Sequence, residues 1–199
     1  MQAYHEANTR ASDSIRVGVS EAKLRKLQPE LYEARGLPAG FRWGARELGP
    51  AQVVQLIAEH LSFGDSRAAV VVQEAPLVVA AYTDEFDCVA LLSFPDWLRQ
   101  DYELRSGSRL LTINTYGRGK CVSPDLVPGP AALGRWTAFY PIIAEFVSDD
   151  LGLIDRRKQS IGSEEWQRTW TFGQAKLREP IPRIRDGRPL WSRNPAGVV

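Results

Sequence analysis

Three short apolar runs follow one another across residues 68–93, and the rest of the chain is arranged around them. They are separated by Gln73-Glu74-Ala75-Pro76 and by Thr83-Asp84-Glu85-Phe86-Asp87. Each run is too short for an ordinary helix and is rich in Val. The pattern predicts buried strands over roughly 68–73, 77–83 and 87–93. A fourth strand is expected over 109–115, where Leu111, Ile113 and Thr115 alternate with Leu110, Thr112 and Asn114. Links of a few residues favour antiparallel neighbours, because a parallel crossover needs a dozen or more.

Helical spacing brackets these runs. Leu24, Leu27 and Leu31 form one stripe and predict a helix from Ser20, which Pro29 splits. Pro50 suits a first turn, Val53, Val54, Ile57 and Leu61 form the stripe behind it, and Gly64 suits the stop. Pro95-Asp96 opens a short helix through Trp97, Leu98 and Tyr102. Trp136, Phe139, Tyr140, Ile143 and Val147 recur at three and four after Leu133, so a helix is expected there, kinked or begun at Pro141. Another begins near Ser163, where Glu164 and Glu165 suit the N-terminal dipole, with Trp166, Trp170 and Leu177 on one face. The order implies an α+β fold: a central, mostly antiparallel sheet of about four strands, helices packed on one face, and extended N- and C-terminal arms. The expected divisions are a loose arm over 1–19, one domain over 20–179, and a Pro/Arg-rich extended tail over 180–199.

Composition narrows the function classes. The 199 residues carry 25 Lys+Arg against 24 Asp+Glu, a net charge of +1. No global basic field exists to gather nucleic acid or an anionic membrane surface. No apolar run approaches the ~20 residues of a spanning helix. The start MQAYHEANTR lacks a basic-then-apolar signal region, so a cytoplasmic location is expected. Arg far outnumbers Lys, which fits a GC-rich bacterial genome. The two cysteines, Cys88 and Cys121, are expected as free thiols, Cys88 as a small buried hydrophobe.

Complete catalytic constellations do not emerge. NTYGRGKC at 114–121 lacks the first Gly and the final Ser or Thr of a phosphate loop, and Val122-Ser123-Pro124 opposes the helix that should follow. Phe63-Gly64-Asp65-Ser66 resembles the nucleophile block of the GDSL esterases over four residues. That family needs a late His, and both His5 and His60 precede Ser66. Pro124-Asp125 has no second half of a metal-dependent nuclease motif downstream. His60 reads as a helix-end residue facing the dipole. The acidic turn Asp84, Glu85, Asp87 could hold a cation or act in acid–base chemistry, but lacks calcium-loop spacing. No cofactor and no metal site is implied.

The expectation is therefore a non-catalytic bacterial interaction or regulatory module, of the immunity or accessory type, binding another protein or itself. Candidate contact residues are Asp84, Glu85, Asp87, Tyr116, Arg118, Lys120, Trp166, Trp170, Arg183, Arg185 and Trp191. Six tryptophans and a tail with Arg183, Arg185, Arg188 and Arg193 motivate the choice. The rivals are a hydrolytic or metal-assisted enzyme using the 84–87 turn, and a nucleic-acid accessory protein using Arg118, Lys120 and the tail.

Overall fold

The computed structural model describes residues 13–32, 42–43, 46–47 and 49–189. Six strands form one mixed sheet: β1 Asp65–Glu74, β2 Leu77–Thr83, β3 Cys88–Phe94, β4 Arg109–Gly117, β5 Ala138–Ile143 and β6 Ile184–Asp186. Their spatial order is β5-β4-β1-β2-β3-β6. All neighbours are antiparallel except β6, which runs parallel to β3. The α+β class and the four expected strands are present, and β5 and β6 add to them. The described helices are α1 Glu21–Leu27, α2 Pro50–Phe63, α3 Trp97–Asp101, α4 Leu151–Ser160 and α5 Ser163–Leu177. Residues 42–43 and 46–47 form a separate two-stranded ladder.

Helices cover both faces of the sheet, which corrects the one-sided packing expected above. All seven residues of β2 are buried. Leu77, Val79 and Ala81 join the core built with Leu24, Leu27, Val53, Ile57 and Leu61 of α1 and α2. Val78, Ala80 and Tyr82 point the other way, to Val89, Leu91 and the α5 residues Trp170, Phe172 and Leu177. Successive side chains of a strand face opposite sides, so an unbroken apolar run such as LVVAAYT requires a cover on each.

Local chemistry explains most helix ends. Ser20 caps α1 by accepting a hydrogen bond from the Lys23 amide at 3.4 Å. A separate 3-10 turn then runs Pro29–Leu31, as Pro29 dictates. Pro50 opens α2, and the Gly64 amide donates to the His60 carbonyl where it ends.

The segment after Leu133 forms a strand, followed by a 3-10 turn over Ala144–Phe146. Its three-and-four spacing imitated a helix. Pro141 opposes Asn114 on β4, and β5 is an edge strand, the place in a sheet where a missing N–H is tolerated. α4 and β6 had no expected counterpart. α4 carries one buried residue, Ile154, so no stripe marks it. β6 has three residues.

The described parts of the two expected arms lie on the domain. Val17 is buried, the Ser14 hydroxyl donates to Ser62 O at 2.7 Å, and the Gly18 amide donates to Asp150 at 2.6 Å. In the tail, β6 extends the sheet, and residues 190–199 lie outside the described residues.

α5 seats on the sheet through Gly173. A Cβ added there would stand 2.6 Å from Ala80 Cβ and 2.7 Å from Val72 Cγ1. Gly173→Ala should therefore destabilise the protein by about 1–3 kcal/mol through overpacking, although Ala favours a helix interior by about 1 kcal/mol. Urea denaturation measures this, and a gain in stability would contradict the close approach.

Candidate functional site

Two places on the molecule concentrate chemistry, at opposite ends of β4. The first is a groove of about 420 Å³ lined by Val70, Gly107, Arg109, Ser163, Glu164, Trp166, Gln167 and Trp170. Its floor follows from the sheet register, which places Val70 of β1 opposite Arg109 of β4. Its wall is the start of α5, held down by Glu165, whose carboxylate accepts the Ala68 amide at 2.7 Å. Trp166 and Trp170 are four residues apart and so share one helix face.

The two indoles are placed differently. Trp166 is only 3% exposed and belongs to the core, while Trp170 is half-buried and touches both apolar clusters. The Trp166 indole N–H is buried without a hydrogen-bond partner. The Arg109 guanidinium lies 5.0 Å over the Trp166 ring, a cation–π arrangement. The N-cap of α5 is Gly162, so no side chain caps the first turn. Arg109 carried no sequence signal, because a single Arg at a strand start is an ordinary solvated residue.

The second place is an acid–arginine knot. Arg67 reaches Asp65 at 2.8 Å, Asp84 at 2.6 Å and Asp13 at 3.0 Å. The Tyr116 hydroxyl donates to Asp65 at 3.3 Å and shares a 3.1 Å hydrogen bond with Thr83. Burial pushes the Asp65 carboxyl up to about 6; Arg67 opposes the rise, while Asp84 and Asp13 add to it. Burial disfavours the Arg67 cation, but Asp65, Asp84, Glu165 and Asp13 outweigh it and raise its pKa, so it stays charged. Burial first, then Asp65, lifts Tyr116 well above an ordinary phenol. Asp65 and Ser66 open β1, and the Ser66 hydroxyl accepts from Arg157 at 2.8 Å.

The remaining candidates are distributed as follows. Glu85 takes both forks of Arg135. Asp87 is buried, with φ of +47°, and accepts from Arg168 at 2.9 Å, Ala131 N at 3.1 Å and Tyr82 at 3.2 Å. Each carboxylate of the 84–87 turn thus pairs with an arginine, Asp84 sharing Arg67 with Asp65 and Asp13. Tyr116 stacks on Trp136 with centroids 5.8 Å apart, and Arg118 lies 5.2 Å over the same indole. Lys120 and Arg183 are exposed, and Trp191 lies outside the described residues. The structure brings Trp166 together with Trp170, and Tyr116 with Asp84 through Asp65 and Arg67; it does not bring the whole set to one surface.

Arg185 is a buried structural cation. It forks onto Asp125 at 2.7 and 2.9 Å and donates to the Phe139 carbonyl at 2.7 Å, with both side chains 1% exposed. Beside it, Lys176 donates to the carbonyls of Val89 and Asp125, and burial lowers its pKa. Burial pushes the nearby Cys88 thiol up to about 11, so it is not a thiolate nucleophile at neutral pH. Cys121 is exposed, and both cysteines are free thiols. His60, expected as a helix-end residue facing the dipole, lies in the last turn of α2 and is buried there, bonded to Ile113 O at 2.8 Å and Thr115 at 3.1 Å. Among the described residues no group of three or more His, Cys, Asp or Glu could hold a metal ion, and no helix is long and apolar enough to cross a membrane.

Two outcomes are expected. Because the folded state raises the Asp65 pKa from an ordinary 3.8 to about 6, the folded protein binds this proton more tightly than the unfolded chain. Its contribution to stability is present below pH 4 and is lost as pH rises to about 6, by up to about 3 kcal/mol. The difference in stability between the protein and Asp65→Asn, followed from pH 3 to 8, should show this slope; a flat difference would contradict it. Arg185→Met leaves the Asp125 carboxylate buried and alone, which should cost about 3–5 kcal/mol, and adding Asp125→Asn should restore part of it. Equal stability of the single and double variants in urea titrations would contradict the pairing.

No protein-family model matches this chain, and no curated protein or solved structure matches it either, so its function rests on the chemistry of its own side chains.

Proposed function

We propose that the protein is a non-catalytic binding module, an accessory or regulatory component that engages another protein through the tryptophan groove at the start of α5. One observation carries this reading: Trp166, Trp170 and Arg109 meet in one concave site, with the guanidinium resting on an indole. Trp and Arg are the side chains that most often dominate protein interfaces, because each combines a large contact area with a polar edge.

The acidic turn supports the same choice. Asp84, Glu85 and Asp87 are paired with Arg67, Arg135 and Arg168. A guanidinium already engages each of these carboxylates. Among the described residues, Arg109 and Glu164 of the groove form no such ion pair.

The reading is tested by placing a photo-cross-linking side chain at Gln167, which is exposed on the groove rim, and expressing the chain in its own host. A single adduct of defined mass is expected. Trp170→Ala should reduce its yield tenfold or more, in line with the loss of an aromatic hot spot, while circular dichroism confirms that the variant is folded. No adduct, or an adduct insensitive to Trp170→Ala, overturns the reading.

A further inference from the structure

The side chains of the groove specify the chemistry of the group that enters it. Arg109 has Trp166 beneath it and no carboxylate partner among the described residues. A guanidinium held over a ring by the cation–π attraction keeps its N–H donors for other partners, and a carboxylate takes two of them in parallel. The first turn of α5 begins on the same rim, at Ser163 and Glu164, with Glu164 and Glu165 already at its positive end. Glu164 also lines the groove and forms no ion pair among the described residues, so it remains available as an acceptor for an N–H group. Trp170 supplies the apolar wall.

The groove therefore matches a ligand with a carboxylate, a nearby N–H and a large apolar group on one short unit. A volume of about 420 Å³ lies at the small end of binding sites, so it suits one terminal residue better than a long segment. We propose that the groove receives the C-terminal residue of a partner polypeptide, with its carboxylate on Arg109, its last amide N–H toward Glu164, and a large apolar side chain against Trp170. Capture of a chain terminus by fixed donors is an established way of reading a peptide. An internal segment lacks the main-chain carboxylate and would leave Arg109 unpaired.

This inference rests on the groove being the contact site, and its test is separable from the cross-linking experiment above. The probes are acetylated pentapeptides ending in Leu, Phe or Trp, each prepared as the free acid and as the amide, and an amidated peptide with an internal Glu. Binding to the full chain is followed by the indole N–H resonances of Trp166 and Trp170. The free acids should shift both resonances and bind at least tenfold more tightly than their amides. Arg109→Gln, at an exposed position, should abolish the difference between acid and amide. Trp170→Ala should weaken both forms.

Equal binding of acid and amide overturns the inference, as does an acid preference that survives Arg109→Gln. An internal-Glu peptide binding as well as the free acids reassigns the carboxylate to a partner's side chain and also overturns it. If no peptide moves either indole, the terminal-residue inference fails, while the cross-linking result decides the groove reading independently.

Discussion

The structure depends on the burial of β2 from both sides. Every residue of Leu77–Thr83 is withdrawn from solvent, and alternate residues face different cores. One cover, formed by α1 and α2, comes from the chain before the sheet; the other, α5, comes more than sixty residues after β3. The large apolar area on the second face is what holds α5 against the sheet. Gly173 admits the close approach to Ala80 and Val72 that this requires. With α5 so placed, its first turns pack Trp166 into the core and bring it and Trp170 to the start of β4. The groove is thus a product of the packing that satisfies the central strand.

Charge is distributed by the same logic of desolvation. Where chain crossings bury ionisable groups, partners are present: Asp125 with Arg185, Glu145 with Lys158, and Arg67 among three aspartates. Buried pairs of this kind add little net stability, because desolvation offsets the attraction, but they strongly disfavour any arrangement that separates them. Asp125 lies in the long connection after β4 and Arg185 in β6, so the pair sets where the last strand meets the sheet. Asp65 and Asp84 are incompletely compensated, each with one buried carboxylate oxygen unpartnered. The groove is the contrasting environment, with an arginine that meets an indole and, among the described residues, no carboxylate.

Particular residues show what could be read along the chain. Apolar runs with short polar links produced the β1-β2-β3 meander, because hairpin neighbours need only local information, whereas β4 was legible as a strand but not in its place beside β1. Ser20, Pro29, Pro50 and Gly64 marked helix boundaries, since caps and proline act within one turn. Pro141 was read in the wrong context: a proline at helical spacing and a proline on an edge strand look alike until the pairing with β4 is known. Trp166 and Trp170 stood out through their spacing, and the structure unites them in one groove. Arg109 gave no signal of its own, and Asp125 stood out only as half of an incomplete nuclease motif, because the meaning of each comes from a residue far away in sequence.

Composition and periodicity alone determined the α+β class, the first four strands, the main helix starts and the free cysteine in β3. These follow from side-chain volume, backbone propensity and contacts a few residues apart. The tertiary structure alone decided that the sheet is covered on both faces, that β6 joins it in parallel, that His60 and Arg185 are buried, and that Arg109 lies on Trp166. Those outcomes depend on long-range burial and on pairing of charges removed from water. No local pattern encodes either, because the energy of a buried polar group is set by the partner that the fold brings to it.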